Sequence, residues 1–481
     1  MSQMDHFEVL IGGQFFGGAC DQGMGKLVSK NPFNGSVVGT AAEGGWPEMD
    51  AAIDAATRAY STWRIAPRHE RSALLRSIAS LVRNRNAQLV DLLTREVGKP
   101  VTWSQGEVTR LALTFDLAAD FLTSPTGQIL PTDFDQRGTG HRCSVERFPI
   151  GPVLAVTPYN WPYNLAAHKI APALAMGNTV VMKPSSLAPV SSLALARLIH
   201  EAGCPDGVFN AVVCDDLTAE KAVTDPRVKV VSFTGSETVG WRVKSLVPEK
   251  HVTLELGGDA TAIVMPDADL DWAVKRIVAG KFGYAGQICI SVQHVLVHED
   301  VYDLVRTKLV EATRECPTGD PQRPETVCGP LIHSEAAERV EAWIQEAVDS
   351  GATLLAGGDR AGNVVSPTLL EAVPTNAKLS NEEVFGPVLT LDQFSNLQQA
   401  IDRVNSSRFG IHCGVFTKDV TAIETCYQSL DVGGVVIGDF PTLRFDNMPY
   451  GGNKRSGFGR EGIATACDEM SLPKVLLTRL V

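Results

Sequence analysis

Cys289 lies in FGYAGQICIS, residues 282–291, among glycine, alanine and short apolar side chains. A cysteine thiolate is a strong nucleophile, but a cysteine in such surroundings is more often a small buried hydrophobe. Glu255 stands in LELGG, a mostly apolar run. A carboxylate there is either paired structurally or poised as a base with a raised pKa, and the residues alone favour neither. Lys183 closes the run TVVMKP. At the end of a strand in a nucleotide-binding sheet it would donate to ribose or phosphate; elsewhere it is a solvated lysine. FTGSETVG, residues 233–240, spaces two glycines as GxxxxG between a strand-like and a helix-like segment. Gly235 permits close backbone approach, and the helix start offers free N–H groups to a phosphate. A tight turn explains the pattern nearly as well, and it is not the GxGxxG fingerprint.

These residues need a scaffold, and the chain between 150 and 257 supplies one. Apolar runs begin near Val153, Thr179, Val208, Val228 and His251, separated by helix-like segments over 164–177, 189–202, 217–224 and 236–246. Short apolar strands alternating with helices specify a parallel sheet covered on both faces. Ligands bind such sheets beyond the carboxyl ends of the strands. Asn160, Lys183, Gly235 and Glu255 all fall at those ends. Ahead of this unit, Met49, Ala52, Ile53, Ala56 and Trp63 line one helical face. A second run from Leu74 through Leu93 is expected to continue to Gly98, and 103–123 reads as another helix carrying Arg110. Residues 128–146 read as a hairpin set apart. A second α/β alternation occupies 260 to about 440, and the tail KVLLTRLV reads as a strand that closes its own sheet or lies on a partner's edge.

The bulk numbers narrow the function classes. At 481 residues the chain exceeds the size of one core, so two or more domains are expected. The net charge of −12 argues against nucleic acid as the main partner. Ten cysteines without a CxxC pair argue against a disulfide framework and a structural metal site. No basic leader or 18-residue apolar run is found, so no membrane partner and a cytoplasmic location are the expectations.

TPYNWP (157–162), VMKPS (181–185), FTGSETVG (233–240), LELGG (254–258), FGYAGQICIS (282–291), EEVFGPVL (382–389) and PYGGNKRSGFGREG (449–462) closely resemble, in order and spacing, the motifs of the NAD(P)-dependent aldehyde dehydrogenase superfamily. The resemblance runs from about residue 8 to the end. It implies an α/β fold: a Rossmann-like cofactor domain over 1–127 and 147–257, and a catalytic domain over 258–445. An oligomerisation element over 128–146 and 463–481 would make a homodimer or homotetramer. It implies that Cys289 is the nucleophile, forming a thiohemiacetal and then a thioester. Asn160 would supply the oxyanion-hole amide beside the Cys289 backbone N–H, and Glu255 the base for the deacylating water. Lys183 would contact the adenosine ribose, Gly235 and Ser236 the pyrophosphate, Glu383 the nicotinamide ribose and Phe385 the nicotinamide. Glu461 resembles an auxiliary proton-relay position.

Two positions bear on cofactor and product. The branch that forms acyl-CoA generally lacks the glutamate, so Glu255 favours release of a free acid over CoA acylation. It also weighs, with Cys289 and Asn160, against a retired, non-catalytic scaffold. A cysteine protease would need a histidine to orient the thiol, and no histidine has that place. Many NAD-preferring members carry a glutamate where this chain has Ser186. Its absence beside Lys183 leaves room for a 2′-phosphate, so NADP is expected to be accepted alongside NAD. HKIAPALAMGN, CISVQ and PTLRFDNMPYGG are closer to lactaldehyde, phosphonoacetaldehyde and succinate-semialdehyde types than to retinal or fatty-aldehyde types. Arg110 and Arg444 are candidate anchors for an anionic substrate tail. His294, where related chains often have arginine, weakens the transfer of a strongly anionic substrate.

Overall fold

The computed structural model describes residues 5–18, 24–124 and 127–480. Residues 1–4, 19–23, 125–126 and 481, which fall inside the segments drawn from sequence, lie outside the described residues.

Five parallel strands form the centre of the first sheet, in the order His251–Glu255, Val230–Thr234, Val153–Val156, Val180–Lys183 and Phe209–Ala211. Each starts within two residues of the expected run. Their two-sided burial follows from helices on both faces, such as Asn164–Met176, every residue of which is buried. Strand order reverses between Val153–Val156 and Val230–Thr234, so a crevice opens beyond their carboxyl ends. The N-terminal pair Val9–Ile11 and Gln14–Phe16 extends one edge antiparallel, and Gly457–Phe458 pairs with the other.

The second sheet has seven strands and is parallel except for Thr353–Ala356 at one edge. Its far edge, His412–Phe416 and Gly434–Ile437, and the helices Leu397–Ser406 and Val420–Ser429 had no individual expectation. A third sheet joins Ser471–Arg479 to His141–Pro149 and Gly127–Leu130. The tail thus pairs within its own chain. Helix Ile463–Glu469 stays with the first domain, its Ile463, Ala466 and Cys467 buried near helix Asn164–Met176. The boundary drawn at 463 therefore falls nearer Ser471.

The helical region departs from its expected run at one point. It is two helices, Arg68–Asn84 and Asn86–Val97, broken at Arg85. Asn84 and Asn86 flank the break, and asparagine competes with the helix backbone for hydrogen bonds. Gly98, at φ +65°, closes the second helix in the left-handed region. The chain then buries Lys99 completely, paired with Glu107 of helix Val101–Phe121. The other Glu107 oxygen accepts the Tyr163 and Asn164 amides at 2.9 and 3.1 Å. One buried carboxylate thus fixes the loop that follows the central strand and starts the next helix. Removing one partner of a buried pair leaves an uncompensated charge. Glu107→Ala should destabilise the protein by about 3–5 kcal/mol, measured by urea unfolding.

Candidate active site

The crevice at the switch point holds a cleft of about 440 Å³, lined by Asn160, Lys183, Gly235, Ser236, Glu255, Cys289, Glu383 and Phe385 among others. Lys183 reaches it from the end of its strand, and Ser236 is the N-cap of helix Glu237–Leu246. Ser236 makes no side-chain capping bond, so the first-turn amides of that helix stay available to an anion. Glu383 accepts the Gly258 amide at 3.2 Å, and a Cβ at Gly257 would collide with its carboxylate. Phe385 stands at φ +42° with its ring 6.2 Å from that of Tyr159. These groups fit a dinucleotide: a lysine, a helix start, a carboxylate and an aromatic ring along one cleft. Ser186 is exposed and is not among the lining residues. A different carboxylate, Asp216, stands 3.7 Å from Lys183 and is fully exposed itself.

Cys289 also lines a second cavity of about 140 Å³, with Trp103, Arg110, Trp161, Arg444 and Tyr450. The thiol therefore sits where two cavities meet. Its loop is held by backbone strain. Tyr284 and Ala285 have φ of +53° and +52°, and Gly286 follows at +70°. Non-glycine residues occupy this region only where the surroundings over-determine them. A Cβ at Gly286 would strike the carbonyl of Gly386. Buried Gln287 locks the next step, its side chain accepting the Ile332 amide at 3.0 Å. Asn160 donates through Nδ2 to the Gln287 carbonyl at 2.9 Å. An amide nitrogen has two hydrogens, so one bond orients Asn160 and the other hydrogen can face the cleft.

Burial pushes the Cys289 thiol up to about 12, opposed by a hydrogen bond with Tyr450. Glu255 is 4% exposed, and neither carboxylate oxygen has a hydrogen-bond partner. Burial, then the charge of Glu461, holds it well above the usual carboxylate range. Glu461 is the reverse case. It accepts from Lys169 at 2.9 Å and from Arg444 at 3.2 Å, and these cations pull it down to about 2 against its own burial. A carboxylate so firmly ionised is a poor proton carrier. In this arrangement Glu461 is a charge that bears on Glu255.

The two candidate anchors differ. Arg110 is committed to Asp446 through three bonds, two of 3.1 Å and one of 2.6 Å. Asp446 also faces His168 at 2.9 Å. Arg444 is buried, and its Nε has no partner. Sequence reading named neither Tyr450, Lys169, Asp446 nor Gln287. Lys169 carried a signal, being a lone cation in the apolar helix NLAAHKIAPALAM, where only a partnered charge is tolerated. The others had none beyond lying in conspicuous motifs.

Residues 20–476 match the aldehyde dehydrogenase family. The chain belongs to that family. A lactaldehyde dehydrogenase of Methanococcus aeolicus is 38% identical over 453 residues, 93% of this chain and 96% of that protein. Aldehyde dehydrogenase 21 from Physcomitrella patens, solved with the reaction product succinate, is 37% identical with a TM-score of 0.96, covering 100% of this chain and 99% of that one. The NADP-dependent glyceraldehyde-3-phosphate dehydrogenase of Bacillus halodurans C-125, solved with NADP, is 33% identical with a TM-score of 0.95, covering 99% and 100%. The α/β architecture is the family's. Among the described residues no helix is long and apolar enough to cross a membrane.

Glu383 has a consequence for stability of this dehydrogenase. Burial raises its pKa to about 7 in the fold, against about 4.3 in an unfolded chain. Between these values the folded state holds a proton that the unfolded state has lost. Its contribution to stability is therefore present below the unfolded value and declines as pH rises through about 7. Glu383→Gln should flatten the fall in urea midpoint between acidic and mildly basic pH.

Proposed function

We propose that this aldehyde dehydrogenase oxidises short polar aldehydes, anionic ones included, to free carboxylic acids, with NADP or NAD as acceptor. The observation that carries the reading is Glu255: a buried carboxylate without a partner, facing the same cleft as Cys289 and Asn160.

In this reading the aldehyde enters the smaller cavity and the Cys289 sulfur attacks its carbonyl carbon. Asn160 Nδ2 and the Cys289 amide take the oxyanion, a donation that typically contributes 10²–10³ in rate. A bound nicotinamide would supply the acceptor for the hydride, the hydrogen that leaves the carbon with its electron pair, and a thioester would remain on Cys289. Glu255 then removes a proton from the water that hydrolyses the thioester. Its raised pKa suits that task, because burial first and the charge of Glu461 second make it a stronger base. Lys183, Ser236 and Glu383 hold the cofactor along the cleft. The exposed Asp216 stands beside Lys183 where a 2′-phosphate would come, and its exposure leaves it free to turn away. The relative solved with NADP supports acceptance of that cofactor.

The substrate reading rests on Arg444. Its unpartnered Nε belongs to a side chain lining the cavity that Cys289 shares, and the moss relative was solved with a dicarboxylate product. Arg110, held by Asp446, contributes a cavity wall and a partly neutralised charge. The exposed Leu472, Val475, Leu476 and Leu477 along the tail strand support pairing with a second copy as a homodimer or homotetramer.

Glu255→Gln should retain acylation, giving a burst of about one reduced cofactor per Cys289 and then turnover slowed about 10²–10⁴-fold. Full steady-state activity in that variant, with either NADP or NAD, would reject the assignment. Arg444→Met should cost kcat/KM at least about tenfold more for a four-carbon aldehyde acid than for lactaldehyde, the scale of a hydrogen bond to a charged group. Equal losses on both would reject the anchor.

A further inference from the structure

Tyr450 has no role in the scheme above, yet its hydroxyl lies 3.0 Å from the Cys289 sulfur. The ring is 3% exposed and held on two sides. The Arg444 guanidinium carbon sits 3.7 Å from its centroid, and the His412 ring meets it edge-on at 5.2 Å. Its backbone exchanges hydrogen bonds with Glu461 at 3.0 and 2.7 Å. The hydroxyl position is therefore set by packing. Burial is what chiefly disfavours a thiolate at Cys289; Glu383 and Glu255 add to that when ionised, and Arg444 opposes them. A sulfur so placed needs a donor, and the Tyr450 hydroxyl is within hydrogen-bond distance of it.

We propose that Tyr450 is a catalytic residue of the same reaction, its hydroxyl donating to Cys289 Sγ and stabilising the thiolate that attacks the aldehyde. The sulfur keeps the electron pair of its S–H bond and the proton leaves to the medium. Tyr450 keeps its own proton throughout and serves as donor only. Arg444 over the ring face draws electron density from the phenol and strengthens the donation. A hydrogen bond to an ionised partner is about twice as strong as a neutral one, so the contact favours the charged form of sulfur. This rests on Cys289 being the nucleophile.

The test is alkylation of the whole enzyme by iodoacetamide, without aldehyde or cofactor, followed at Cys289 by mass spectrometry from about pH 6 to 10. Tyr450→Phe keeps the ring and removes one hydroxyl. Its Cys289 profile should move up by about one pH unit, so that labelling near neutral pH falls about tenfold. Wild-type chain labelled with 3-fluorotyrosine carries a more acidic phenol and should move the profile the other way, which keeps the test open where Tyr450→Phe fails to fold. An unmoved or lowered profile in Tyr450→Phe, or an unmoved one with fluorotyrosine, overturns the role of Tyr450 and leaves Cys289 as nucleophile. No labelling at Cys289 in the unaltered enzyme overturns both.

Discussion

A carboxylate held between two buried cations joins the halves of this molecule. Glu461 comes from the stretch that returns to the first domain, Lys169 from the helix beneath the first sheet, and Arg444 from the loop after the last strand of the second. Buried charges are costly unless paired, and here one carboxylate serves two cations, so any displacement of one domain against the other would leave a buried ion without its partner. The arrangement is thus a clasp as well as an electrostatic source. Beyond the effect of burial, Glu461 raises the proton affinity of Glu255, while Arg444 and Lys169 oppose it. Loss of Lys169 or Arg444 would loosen the joint and alter the base together, so stability and chemistry are coupled at this point.

Much of the scaffold was legible because the relevant signals are local. The five central strands announce themselves as short apolar runs, and the helices between them as periodic ones. Capping of the helix Trp46–Trp63 was not read from the sequence: Glu48 accepts the Gly45 amide at 2.7 Å at its head, next to Pro47. The break at Arg85 was harder, because leucines continue on both sides and only the two asparagines mark it. The far edge of the second sheet was not resolved into elements, since HCGVF and GVVI are brief and sit among loops.

The site divided along the same line. Residues at strand ends could be placed, because a parallel sheet dictates where its ligand edge lies. Partnerships across the chain could not. Nothing in LRFDNMPYGG reveals that Asp446 would occupy Arg110, 336 positions away, or that Tyr450 would reach Cys289, 161 positions away. Ser186 shows the hazard of reasoning from one loop alone. Its lack of charge was read as a gap, yet the fold brings Asp216 from another helix to stand beside Lys183.

The thiol at the meeting of two cavities settles something about traffic. Cys289 borders the large cleft on one side and the small aromatic-walled cavity on the other. Under the proposed function, a dinucleotide in the first and an aldehyde in the second would approach the same atom from different cavities. On that reading the acid could depart while the dinucleotide stays, and a spent dinucleotide could be exchanged while an acyl group remains on sulfur. Residues such as Trp103, Trp161 and Ile290 can change to suit another aldehyde without touching the groups that grip the dinucleotide. One fold can therefore be retuned for new substrates by remodelling one doorway.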